Sequence, residues 1–94
     1  MQSIELELRN PSGLHARPAA LFVRAAAASR SRIRVANLDR GGNDADARSI
    51  LAILGLGASR GHRLRITADG EDAAEALGTL RAMIEAGLGE SLEG

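Results

Sequence analysis

The sequence contains no cysteine, lysine, tryptophan or tyrosine, and Phe22 is its one aromatic residue. Without cysteine there is no disulfide, no thiolate nucleophile and no Cys-ligated metal. Without aromatic faces, base stacking on single-stranded nucleic acid has no platform. Twelve arginines against twelve acidic residues leave a formal net charge of zero, which removes the basic footprint of a nucleic-acid binder. The longest near-apolar runs, 18–23 and 50–58, fall well short of the roughly 20 residues a membrane-spanning helix needs. The opening Met1-Gln2-Ser3-Ile4-Glu5 lacks a basic stretch followed by an apolar one, so no signal peptide is expected. Two histidines without a paired acidic motif give no expected metal site.

What is present fits one cytoplasmic domain. The chain has 94 residues, too few for two cores, with 45% apolar and 26% charged residues. With so little aromatic bulk, the core must come from Leu, Ile, Val and the eighteen alanines.

Ile4-Glu5-Leu6-Glu7-Leu8 alternates apolar and acidic residues, the period of a half-buried strand. Asn10-Pro11-Ser12-Gly13 breaks it. Residues 16–28 are rich in Ala, Leu and Arg and predict a helix, with Ala20, Leu21, Val23 and Ala27 at helical spacings and Pro18 in its first turn. Arg32-Ile33-Arg34-Val35-Ala36 predicts a second strand, 37–43 a hairpin connection, and 43–45 a weak third strand. Residues 46–56 predict a short helix with Asp46 as its N-cap, 61–68 a fourth strand, and 72–86 a last helix with Ala73, Ala76, Leu77, Leu80 and Ile84 inward. The expected fold is therefore α+β, in the order β-α-β-β-α-β-α: a mainly antiparallel four-stranded sheet with three helices on one face. Residues 1–88 form the expected domain, and 89–94 read as a flexible tail or the start of a linker.

One segment concentrates chemistry: Gly13-Leu14-His15-Ala16-Arg17-Pro18-Ala19. It sets His15 at a loop-to-helix junction, where unpaired N–H groups and the helix dipole favour anions. Arg17 adds a forked cation two residues on. An imidazole so placed can act as a nucleophile beside a phosphate cradle, although on physical grounds alone a lone histidine beside a helix start is more often an incidental cap. His62, at a predicted strand start beside Arg63, reads as a surface residue.

This segment resembles the active-site signature of HPr, the histidine-containing phosphocarrier of the bacterial phosphoenolpyruvate-dependent sugar phosphotransferase system. Asp46-Ala47-Arg48-Ser49-Ile50 with Leu54-Gly55-Leu56-Gly57 is similar to the family's regulatory-serine segment, and Gly70-Glu71-Asp72 is also family-like. The resemblance covers roughly 2–88 and implies an open-faced β-sandwich. It implies that Nδ1 of His15 accepts a phosphoryl group from phospho-Enzyme I and donates it to Enzyme IIA domains. Arg17 and the backbone N–H groups of Ala16 and Arg17 would steady that group. Leu14, Ala20, Ile50, Leu51 and Leu54 would form the docking patch, with Ile53 and Leu56 given to the core. Ser49 would be the candidate phosphosite for an HPr kinase/phosphorylase, although Arg48 stands where the family usually has Lys; lying near a helix start, Ser49 reads equally as just a cap. No cofactor, nucleic acid or membrane is implied, and a monomer is expected.

The resemblance implies a carrier rather than an enzyme with turnover of its own. Three other readings compete. The chain is an HPr domain of a multiphosphoryl transfer protein or of a dihydroxyacetone kinase phosphotransferase subunit. It is a regulatory homologue acting through Ser49. Or it is a small-molecule-sensing α+β dimer module, which leaves the His15 segment unexplained.

Overall fold

The computed structural model describes residues 1–92. Its elements are β1 (Gln2–Glu7), α1 (Ala16–Ala27), β2 (Arg32–Asn37), β3 (Asp44–Asp46), α2 (Ile50–Gly55), β4 (Arg63–Asp69) and α3 (Ala73–Glu85). The four strands form one sheet in the order β1-β4-β2-β3, and each pairing is antiparallel.

Alternation in the sequence becomes sidedness in the sheet. Ile66 of β4 stands opposite Ile4 on one side and Val35 on the other, and Leu64 stands opposite Leu6. These side chains share one face, and the helices cover it: α3 packs on β1 and β4, α1 packs on α2 and α3, and α2 meets β3. Phe22, Leu8, Leu14, Ile53, Leu80 and Ile84 fill the space between and are fully or almost fully buried. The open face carries charge. Glu5 lies directly across from Arg65 but pairs diagonally with Arg63 at 3.5 Å, while Arg65 reaches Asp44 at 3.7 Å. Both pairs are well exposed, so they add solubility and little stability.

The structure departs from the sequence reading at three elements. α1 buries Pro18, Ala19, Phe22 and Ala26, whereas Ala20 and Ala27 are exposed and Val23 is only partly buried. In a helix so rich in alanine the apolar pattern is nearly uniform, and the one bulky ring chooses the inward side. α2 starts at Ile50 rather than at 46. Asp46 ends β3 opposite Arg34, and its carboxylate accepts the Arg48 N–H at 2.9 Å in a local turn. Ser49 caps the helix instead, accepting the Ala52 N–H at 3.1 Å.

The third departure is the tail. Through Leu92 it does not extend away from the domain but lies against it. Gly87, Leu88 and Gly89 all have left-handed backbones, with φ of 95°, 50° and 84°, and turn the chain back. Leu88 is 2% exposed, and the Leu92 carbonyl accepts from Arg60 at 3.0 Å. The last two residues of the expected tail lie outside the described residues.

Candidate functional site

The loop between β1 and α1 is held on one side by the segment that follows α2. The Leu14 N–H donates to the Ala58 carbonyl at 2.9 Å, and the Leu14 side chain is fully buried. Gly13 has φ of +62°, and a Cβ there would strike the Ala58 carbonyl oxygen and come within 2.7 Å of the Ser59 Cα. Only glycine permits both the turn and the approach. The chain then enters α1 through His15, the N-cap, in an extended conformation (φ −127°, ψ 158°) with no side-chain cap bond. Ala16 follows at φ +50°. A left-handed non-glycine residue costs on the order of 1–2 kcal/mol, a strain that tends to collect at functional positions.

His15 is thus free of the structural duty an N-cap side chain usually has. The side chains of His15 and Arg17 are exposed, and neither makes a hydrogen bond or ion pair among the described residues. The first turn offers the Ala16 and Arg17 N–H groups, since buried Pro18 has none and the Ala19 N–H turns toward the His15 carbonyl at 3.5 Å. The helix start, with its dipole and two first-turn amides, and the exposed Arg17 side chain lie within two residues of an unencumbered imidazole. That arrangement suits a dianionic group bonded to the ring.

α2 runs antiparallel to α1. Its C-terminal end leads into Ala58, beside the His15 loop, while at its N-terminal end Arg48 donates to the Ser29 carbonyl at 2.9 Å, just past the end of α1. Leu51 is 79% exposed, Ile50 39% and Leu54 36%, whereas Ile53 is fully buried and Leu56 packs against the core. The structure therefore brings an apolar surface alongside α1, with Leu54 on the end nearer His15 and half-buried Ser49 on the far end. Ala20, exposed one turn into α1, fits such a surface. Leu14 does not: its side chain is wholly inside the core, which corrects its place among the docking residues.

Three features escaped the sequence reading. Asn10 is fully buried, and its amide donates to the Gly13 carbonyl at 3.0 Å and to Glu90 Oε1 at 2.9 Å. Glu90 also accepts the Ser12 N–H at 3.0 Å and the Ser12 hydroxyl at 2.7 Å. The Ser12 amide and hydroxyl, then the Asn10 amide, hold the Glu90 carboxyl below its ordinary pKa. His62 is half-buried rather than a free surface group: its Nδ1 accepts from Asn37 Nδ2 and from the Ser59 N–H, each at 3.1 Å. No spacing rule joins Asn10 to Glu90, eighty residues apart in sequence. Among the described residues there is no cluster of acids and histidines able to hold a metal, and no helix long and apolar enough to cross a membrane.

Comparison with known proteins agrees with this fold. A family model described as "PTS HPr component phosphorylation site" matches residues 2–86. The multiphosphoryl transfer protein of Salmonella typhimurium is 48% identical over 88 residues, 94% of this chain but 23% of that protein. The chain thus spans about a quarter of that relative's length. Phosphocarrier protein HPr of Streptomyces coelicolor is 45% identical over 78 residues, covering 83% of this chain and 82% of the relative. The crystal structure of HPr-C-His from Thermoanaerobacter tengcongensis superposes with a TM-score of 0.90 at 40% identity, covering 97% of this chain and 99% of that one.

Proposed function

The chain belongs to the HPr family, and from that premise we propose that it is a phosphoryl carrier whose acceptor atom is Nδ1 of His15. The exposed, unbonded His15 ring at the start of α1 carries the proposal. In the forward step Nδ1 attacks the phosphorus of a phosphohistidine on Enzyme I. The new N–P bond forms as the donor's N–P bond breaks, and the donor imidazole leaves neutral after taking up the proton that His15 gives up. Arg17 and the Ala16 and Arg17 N–H groups steady the phosphoryl oxygens throughout. The reverse geometry serves delivery to an Enzyme IIA domain.

Docking is assigned to Ala20, Ile50, Leu51 and Leu54. Three of these are aliphatic side chains left in water on a helix whose other face is buried, a pattern that marks a binding surface. Ser49 is assigned as the cap of α2 on the strength of its bond to Ala52. Phosphorylation of Ser49 is the second reading of the Asp46–Ile50 stretch, and it would place a dianion beside Ile50 and Leu51. The working unit is a cytoplasmic monomer, either free or as one domain of a longer phosphotransferase protein.

The carrier role is tested by a chase. Chain labelled with radioactive phosphoryl groups, freed of donor and mixed with an Enzyme IIA domain, should lose label to it within seconds to minutes. Label that stays on the chain with every Enzyme IIA offered contradicts the carrier role.

A further inference from the structure

We infer that Glu90 is a positioning residue for His15, acting through Asn10 and Ser12 as the second half of a clamp on the loop that delivers the imidazole. The inference rests on the carrier reading and adds to it a residue from the far end of the chain.

The loop has two sides. On one, Gly13 and Leu14 lie against Ala58. On the other, Glu90 supplies acceptors: Oε1 takes the Asn10 amide and the Ser12 N–H, and Oε2 takes the Ser12 hydroxyl. Asn10 relays the hold forward, because the same Nδ2 that meets Glu90 also fixes the Gly13 carbonyl, two residues before His15. Both partners of Nδ2 are acceptors, so the orientation of the amide is set, and its Oδ1 is left buried without a partner. An orphaned buried acceptor is a cost the fold bears at this position, and it is met only because Nδ2 is doubly used.

The delivery of Glu90 is itself costly. It follows three consecutive left-handed residues, one of them Leu88, whose burial anchors the turn. A Cβ on Gly89 would touch Leu21 of α1 at 3.2 Å, so the turn is seated against the helix that His15 begins. A frayed end has no need of a strained turn, a buried leucine and a carboxylate with three bonds.

Asp72 provides a matched control. It also accepts one backbone N–H, from Arg30 at 2.9 Å, and one hydroxyl, from Ser31 at 2.5 Å. These bonds lie past the other end of α1, about 18 Å of helix from His15.

The experiment measures phosphorylation by phosphoenolpyruvate and Enzyme I while the concentration of the chain is varied, with His15 ring resonances recorded by NMR. Glu90→Ala should lower kcat about tenfold, as expected for a misplaced reacting group, with KM unchanged because the α2 surface is intact. Glu90→Gln, which keeps one carbonyl acceptor, should recover much of that loss. Asp72→Asn should leave kcat and the His15 resonances as they are. Glu90→Ala with wild-type kcat, or with its loss confined to KM, overturns the inference, as does an equal loss in Asp72→Asn. If Glu90→Ala does not fold, Ser12→Ala carries the test: a smaller fall in kcat supports the clamp, and wild-type kcat overturns it. A wild-type chain that takes no phosphate contradicts the carrier reading. In that case unmoved His15 resonances in Glu90→Ala refute the clamp as well, and displaced resonances sustain it.

Discussion

The bond from the Leu14 N–H to the Ala58 carbonyl, 2.9 Å long, ties the residue before the histidine to the segment leaving α2. The exposed apolar surface of α2 and the His15 ring are thereby tied to one another. Under the proposed function, a partner seated on Leu51 and Leu54 would meet His15 at a fixed height, which is what transfer between two proteins requires.

Gly13 is where that unit tolerates least change. Gly13→Ala keeps an unfavourable φ and drives a methyl into the Ala58 carbonyl and the Ser59 backbone. The expected cost is on the order of 2–3 kcal/mol of stability, with slowed transfer as the loop moves off Ala58. Urea unfolding with the transfer assay checks it, and a variant as stable as the parent contradicts the close contact.

Neighbouring aliphatic residues on α2 should behave in opposite ways. Ile53→Ala should cost about 2–5 kcal/mol of stability, because its side chain is fully buried. Leu51→Glu should leave stability nearly unchanged, since Leu51 is 79% exposed, and should weaken Enzyme I binding by about 1.4 kcal/mol or more, which is tenfold. Calorimetric titration and thermal melts separate the two. Unchanged affinity in Leu51→Glu removes Leu51 from the interface.

Arg17 is exposed and its side chain makes no hydrogen bond or ion pair among the described residues, so Arg17→Ala should melt with the parent protein. Its transfer rate should fall by the equivalent of about 2–4 kcal/mol, the loss of one preorganised donor to the phosphoryl group. A wild-type rate contradicts the role given to the guanidinium.

Acid should loosen both carboxylate staples. Asp72 is held below its ordinary pKa by the Arg30 N–H first and the Ser31 hydroxyl next, and Glu90 is held low by Ser12 and Asn10. A carboxylate lowered on folding adds stability that is complete above its unfolded value, 3.8 for Asp72 and 4.5 for Glu90. That stability is lost as pH falls through the lower folded value. Urea midpoints should therefore drop between pH 6 and about pH 3, and Asp72→Asn with Glu90→Gln should flatten the drop. An equal slope in the double variant contradicts it.

Strand alternation made the sheet legible in the sequence, because a period of two leaves one arrangement that buries Leu6, Leu64, Ile66, Ile33 and Val35 together. The stripe of α3 was equally clear, with Leu77, Leu80 and Ile84 at helical spacing. Around His15, the pairing of Arg17 and Pro18 was visible because it is local. The inward face of α1, set by Phe22, was not legible because alanine gives little contrast. The start of α2 was misjudged because Asp46 and Ser49 are both good caps and only the β3 register decides between them. The hold of Glu90 on Asn10 and Ser12 had no sequence signal at all, since it depends on how the end of α3 is brought round to the loop.

The central claim is that His15 carries the phosphoryl group, and intact mass tests it most directly. The chain mixed with phosphoenolpyruvate and Enzyme I should gain one phosphate that is lost in acid, and His15→Ala, folded as the parent, should gain none. Phosphate on His15→Ala, or an acid-stable phosphate on the parent chain, would contradict the account.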